Sequence, residues 1–242
     1  MRLPLILGHR GYRARFPENT LLAFREALAA GADGIECDVQ KSADGRYIII
    51  HDETTARVTG TALAVGRAGS TALRTLDAGR GERLPFLEEM LAALPPGAYL
   101  DLELKEETLT PRDVEGIITI LDGHVSRDRL MISSFDLRLL VPFRRKGYTV
   151  GLLVGEEAAA RGLGGLASDL LRLRPQFVNL PVDMLAALGL RRSFLLFRVL
   201  RALGFSLLFW TVNTAEAAAR VSRYAHVLVT DEVELLRKTT DS

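Results

Sequence analysis

Residues 33–51 read Asp-Gly-Ile-Glu-Cys-Asp-Val-Gln-Lys-Ser-Ala-Asp-Gly-Arg-Tyr-Ile-Ile-Ile-His, and the fold turns on how this stretch is read. Asp33–Val39 is expected to be a strand. Its period of two puts Glu36 and Asp38 on one face and Ile35, Cys37 and Val39 on the other. The apolar face suits packing between a barrel wall and its covering helices, which leaves the carboxylates at the mouth. Asp44-Gly45 lies between two β-like runs and predicts a hairpin. A two-residue turn there pairs Ala43 with Arg46 and brings His51 opposite Asp38. A longer turn slips the register and breaks that pairing.

The same alternation extends outward in both directions. Strands are expected at Leu3–Gly8, Tyr99–Lys105, Arg129–Ser134, Thr149–Val154, Gln176–Leu180, Ser206–Val212 and His226–Thr230. The first helix carries Leu21, Phe24, Ala27 and Leu28 at helical spacing, with Asn19 or Thr20 as N-cap and Gly31 at its end. Further helices are expected near Phe86–Leu94, Arg112–Leu121, Asp136–Lys146, Leu166–Leu173, Arg191–Leu203 and Ala215–Ser222, with a last one after Asp231. Eight strand–helix pairs define an α/β fold, a (β/α)8 TIM barrel. An irregular stretch, about 53–83, reads as a short insertion after the second strand. It either partly covers the mouth or is an ordinary surface excursion.

A chain of 242 residues suits one barrel domain spanning 1–242. The net charge of +1 argues against a nucleic-acid binder, which would carry a basic excess. A single cysteine excludes an intrachain disulfide framework. Met1–Leu7 is too short an apolar stretch for a secretory leader, and the apolar region 185–211 is broken by Arg191, Arg192, Arg198 and Arg201. A cytoplasmic location is the expectation.

In parallel barrels the chemistry gathers at the C-terminal ends of the strands. Two inward carboxylates such as Glu36 and Asp38 repel unless protonated or bridged by a cation, and hard divalent ions prefer carboxylate oxygen. Solvation or ion pairing is the plainer account of such a pair. Asp101, Glu103 and Lys105 repeat the parity on the next barrel strand. Glu103 would complete a three-carboxylate site, and Lys105 could neutralise an anion or pair within the core. His9 and His51 each end a strand beside these acids and are suited to proton transfer near neutrality. Arg10 can grip a phosphate in bidentate fashion. His124 and His226 read as structural or solvated, and outward-facing Cys37 is assigned no catalytic role.

These residues resemble the glycerophosphodiester phosphodiesterases over nearly the whole chain. The resemblance is carried by His9-Arg10-Gly11 with Pro17-Glu18-Asn19-Thr20, by residues 31–39 followed by His51-Asp52, and by Glu103-Leu104-Lys105. Ser133-Ser134-Phe135, Trp210-Thr211-Val212-Asn213 and Thr230-Asp231 follow in order. It implies a divalent-metal phosphodiesterase on a distorted barrel, taking Mg²⁺ or Ca²⁺, with Mn²⁺ as a further candidate. It assigns His9 and His51 to acid–base catalysis, Glu36, Asp38 and Glu103 to the metal, and Arg10 and Lys105 to phosphate. Phe135 and Trp210 would wall the substrate pocket. Pro17–Thr20 is explained largely as a helix start, with Glu18 orienting Arg10 as the other reading. Glu232-Val233 after Asp231 departs from the family, which often has a proline there.

The expected reaction yields glycerol 3-phosphate and an alcohol, with water or the substrate's C2 hydroxyl as nucleophile. Two rivals remain. An apolar segment (Met184, Leu185, Leu188, Leu190, then Phe194–Phe197) suggests a lysophospholipase D-like activity with weak membrane-surface contact, though helix packing or a homodimer interface explains the same residues. A non-catalytic phosphodiester-binding barrel is the third, disfavoured because every candidate catalytic residue is present. The expected partner is a small-molecule glycerophosphodiester, with no nucleic acid.

Overall fold

The computed structural model describes residues 3–240; positions 1–2 and 241–242 of the expected 1–242 unit lie outside the described residues. Among the described residues nine strands form one sheet: β1 Leu5–His9, β2 Gly34–Lys41, β3 Tyr47–Ile49, β4 Tyr99–Leu104, β5 Leu130–Ser134, β6 Thr149–Leu153, β7 Phe177–Pro181, β8 Ser206–Trp210 and β9 Val227–Thr230. β1 pairs in parallel with both β9 and β2. That double pairing closes eight parallel strands into a barrel, as expected, with β3 hanging antiparallel on the edge of β2.

Each barrel strand leads to a covering helix. In order these are Leu21–Ala29, Leu87–Ala93, Val114–Asp122, Leu137–Arg145, Gly162–Leu173, Leu190–Ala202, Ala215–Val221 and Val233–Thr240. Polar side chains fix several starts. Thr20, rather than Asn19, caps the first helix by accepting from the Ala23 N–H, and Asp136 and Thr214 cap two others. Gly31 follows the first helix with a φ of +94°, where a side chain would be strained.

Period two in β2 sorts its residues as expected. Ile35, Cys37 and Val39 are fully buried between barrel and helices, packed with Phe24, Met90 and their neighbours. Burying an aliphatic side chain this way contributes about 1.5–3 kcal/mol, which makes a one-residue slip of β2 costly. Inside the barrel Leu7, Met131, Leu208, Val227 and Val229 form a separate apolar plug. Register then stacks the inward acids of β2 and β4, pairing Glu36 with Asp101 and Asp38 with Glu103.

The hairpin corrects the expected register. Val39 pairs with Ile49 and Lys41 with Tyr47, so Ile50 rather than His51 lies opposite Asp38. The turn has three residues, Ala43–Gly45, closed by Ser42. The Ser42 N–H reaches the Arg46 carbonyl at 2.9 Å, and Gly45 takes a φ of +83°. His51 still reaches the mouth, because β3 ends at Ile49 and the chain turns after it.

The stretch after the hairpin folds on its own small core of Ile48, Ile50, Val65, Leu73, Ala78 and Leu84. It contains the short helices Ala56–Thr59 and Ser70–Arg74. From the first of these, Arg57 reaches Glu18 and Asp52 at the rim of the mouth.

Candidate active site

The turn after β1 is shaped by two successive left-handed residues, Arg10 (φ 53°) and Gly11 (φ 83°). Gly11 is needed twice over, since a Cβ there would lie 2.6 Å from the backbone of Ala23. The turn aims the Arg10 N–H at Glu36 Oε2, 3.0 Å away, and brings the guanidinium to Glu18 Oε1 at 2.9 Å and Asp38 Oδ2 at 3.3 Å. Glu18 therefore does orient Arg10, and it also meets Arg13 and Arg57. Asn19, freed from capping, donates to Asp38 Oδ2 at 2.9 Å.

Glu36, Asp38 and Glu103 each place one carboxylate oxygen within 4.8 Å of the others. Asp38 Oδ1 is buried without a hydrogen-bond partner; Lys105 Nζ is 4.0 Å away and donates instead to Glu103 Oε1 at 2.8 Å. Asp101, level with Glu36 and one layer below Glu103, accepts from Ser133 Oγ at 2.7 Å. Burial and mutual repulsion push these acids up: Glu36 well above the carboxylate range, Glu103 to about 8 and Asp101 to about 7. Burial works against the Lys105 charge, but Glu103 and Asp38 hold its pKa above the ordinary value. Burial likewise opposes ionisation of Glu18, but Arg57 and Arg10 hold it down at about 2.

The two histidines flank the acids, each with a carboxylate behind it. His9 Nδ1 is 2.7 Å from Asp231 Oδ1, and its Nε2 is 3.9 Å from Glu36 Oε2. Asn213 donates to the other Asp231 oxygen at 2.7 Å. His51 Nδ1 is 2.7 Å from Asp52 Oδ1. Its loop is held by buried Gln40, whose amide donates to the carbonyls of His51 and Asp52 at 2.9 and 2.7 Å. Burial lowers the His51 pKa, outweighing the pull of Asp38.

A cavity of about 310 Å³ opens between these groups. Of the expected site residues, His9, Arg10, Glu36, His51, Glu103, Phe135 and Trp210 line it, while Asp38 and Lys105 are buried just behind. Phe135 meets Trp210 edge to face with ring centroids 6.1 Å apart. Sequence reasoning gave no site role to Arg13, which lines the cavity, or to Asp231, Asn213, Asp52 and Gln40, which hold the histidines. Asp231 and Asp52 had a signal, since each lies in a motif that carried the resemblance. Gln40 had only its inward parity on β2.

The mouth of this parallel barrel joins two histidines, clustered carboxylates and the cations Arg10 and Lys105, a set of groups suited to hydrolysing a phosphodiester. The comparisons narrow the class. The model of the Glycerophosphoryl diester phosphodiesterase family matches residues 9–235, and the chain belongs to that family. A glycerophosphodiester phosphodiesterase from Caldanaerobacter subterraneus subsp. tengcongensis is 30% identical across 96% of both chains. The crystal structure of a glycerophosphodiester phosphodiesterase from Thermotoga maritima superposes with a TM-score of 0.84 at 30% identity, covering 98% of this chain and 99% of that one. An Oleispira antarctica phosphodiesterase in complex with the product sn-glycerol-3-phosphate gives a TM-score of 0.87 at 25% identity, over 99% of this chain and 98% of that one.

Proposed function

We propose that residues 1–242 form one catalytic unit that hydrolyses glycerophosphodiesters to glycerol 3-phosphate and an alcohol, using His9 and His51 as the acid–base pair. The observation that carries this reading is the acidic cluster between two histidines, each backed by its own carboxylate. The product-bound relative supports the substrate class.

The residues fit a divalent metal. A cation held at about 2.4 Å by each oxygen allows ligand separations up to about 4.8 Å, and the Glu36–Asp38–Glu103 oxygens fall within that span. The partnerless, buried Asp38 Oδ1 and the raised Glu36 and Glu103 are what a metal site leaves when its charge is missing. An all-oxygen donor set suits Mg²⁺, Ca²⁺ or Mn²⁺. When bound, such an ion supplies Lewis-acid stabilisation of charge on the phosphoryl oxygens.

The chain's own groups do the rest. Arg10 and Lys105 add positive charge around the phosphate. Arg10 is braced by Glu18, so it meets the ligand in a fixed orientation. His51, whose pKa burial lowers, accepts the proton of the attacking hydroxyl. As the oxygen–phosphorus bond to the nucleophile forms, the bond to the alcohol breaks, and His9 gives that alcohol a proton. Asp231 and Asp52 hold the Nδ1 sides and leave Nε2 for this exchange. Phe135 and Trp210 wall the alcohol side. His9→Ala and His51→Ala should each lower turnover of glycerophosphocholine 10²–10⁴-fold, and near-wild-type turnover in either would overturn the assignment.

A lysophospholipase D-like activity is a second reading. A neighbouring cavity of about 350 Å³ shares Phe135, Leu153 and Trp210 with the catalytic one. That cavity offers room for a longer alcohol. Turnover of lysophosphatidylcholine comparable to that of glycerophosphocholine would favour it. Cytoplasmic residence stays a proposal; none of the described helices is long and apolar enough to cross a membrane.

A further inference from the structure

An exposed apolar surface lies on the helices Gly162–Leu173 and Leu190–Ala202, outside the lining of the catalytic cavity. Among the described residues nine large hydrophobics are exposed, and seven of them fall between 163 and 203. Leu163 (69% exposed) and Leu171 (73%) belong to the helix Gly162–Leu173. Leu190, Leu195 (63%) and Val199 belong to the helix Leu190–Ala202, with Leu188 and Leu203 (67%) flanking it. Barrel packing does not account for them. The second helix already buries Ser193, Phe197 and Leu200, and the first buries Leu166, Leu170 and Leu173. Between the two runs an apolar groove of about 920 Å³, its polar lining limited to Arg174 and Arg192.

Charge decides what can cover this face. Residues 161–205 hold seven arginines against two aspartates, although the whole chain carries only +1. Asp169 is buried in an ion pair with Arg161, so it offers nothing outward. Arg191, Arg192 and Arg198 are exposed, and among the described residues none of them has an ion-pair partner. A second copy docked through the same face would bring two arginine-rich patches together, at a cost in like-charge repulsion, because a two-fold interface opposes a patch to itself. Exposed leucines flanked by unpaired arginines, with no acid in the helix Leu190–Ala202, match an interfacial helix on an anionic bilayer.

We propose that the face formed by the helices Gly162–Leu173 and Leu190–Ala202 docks the enzyme on an anionic lipid surface. The leucines enter the acyl boundary and the arginines meet lipid phosphates. In a (β/α)8 barrel the helix N-termini lie at the catalytic end, so Leu163, Leu188 and Leu190 would bring the membrane near the mouth.

The test is cosedimentation of the full chain with vesicles of phosphatidylcholine alone or of phosphatidylcholine with phosphatidylglycerol. Binding is expected only to the second, weakening as salt rises. Arg191→Ala/Arg192→Ala/Arg198→Ala should lower partitioning on the order of a hundredfold. Leu195→Glu/Val199→Glu should abolish it. Both variants should keep wild-type turnover of glycerophosphocholine, which shows that they fold. Failure of wild-type protein to bind anionic vesicles overturns the proposal. So does a stable dimer, seen by light scattering, that Leu195→Glu/Val199→Glu dissociates, since the occupant would then be a second copy.

Discussion

His9 Nδ1 lies 2.7 Å from Asp231 Oδ1, a contact made because β1 pairs with β9 as the barrel closes. The first and last strands thus join one histidine of the proposed acid–base pair to its carboxylate. The Asp231 carboxylate fixes the proton on Nδ1 and turns Nε2 toward the cavity. Asp231→Asn should lower kcat on glycerophosphocholine by 10²-fold or more with little change in KM, because tautomer and orientation act on proton transfer rather than on binding. Steady-state kinetics check this; a kcat within twofold of wild type would contradict it.

Phosphate binding should depend on the shape of residue 10 as well as its charge. Arg10 is fixed by Glu18 and spans toward Asp38. Arg10→Lys keeps the charge and loses the planar fork. It should lower kcat/KM by about 10–100-fold, in line with about 1.5–3 kcal/mol for a charge-assisted hydrogen bond. Glu18→Gln should act in the same direction and more weakly.

The acidic cluster predicts a pH effect with a definite sign. A carboxyl whose pKa rises on folding keeps its proton where the unfolded chain has already released it. Folding then takes up protons, and stability falls as pH climbs from the ordinary carboxylate range toward about 8, where Glu103 titrates. Chelator-treated protein should lose Tm between pH 5 and 8, and Glu103→Gln should flatten that loss. Adding Mg²⁺ or Ca²⁺ at pH 8 should restore Tm and release protons. Calorimetry across pH decides it: identical slopes in wild type and Glu103→Gln would remove the cluster as the cause.

Gly11 is predicted to be a stability residue as well as a turn former. Its φ of 83° and the 2.6 Å approach of a Cβ to Ala23 leave no room for alanine. Strain of about 1–3 kcal/mol should lower Tm by about 2–12 °C in Gly11→Ala, measurable by thermal unfolding. An unchanged Tm would show that the turn relaxes.

The alternation of apolar runs and amphipathic stretches exposed the barrel because each strand–helix pair buries one face by a local rule. Strict parity on β2 and β4 made Glu36, Asp38 and Glu103 legible for the same reason. His51 comes to the mouth by a route other than the expected one: the Ser42-closed turn adds a residue, so Ile50 rather than His51 lies opposite Asp38. A one-residue difference in turn length has no periodic signature. Asp231 and Asn213 stand in motifs that carried the resemblance, but the contact that ties them to His9 exists only once β9 meets β1. The apolar helix Leu190–Ala202 was visible as composition, but only the structure separates its buried face from its exposed one.

A metal-dependent phosphodiesterase built on Glu36, Asp38 and Glu103 should be silent without its ion. Release of glycerol 3-phosphate from glycerophosphocholine and glycerophosphoethanolamine, by metal-stripped protein before and after addition of Mg²⁺, Ca²⁺ or Mn²⁺, tests it most directly. Release is expected only after metal is restored, with none from Glu103→Ala under the same conditions. Full release from the stripped protein, or undiminished release from Glu103→Ala, would contradict it.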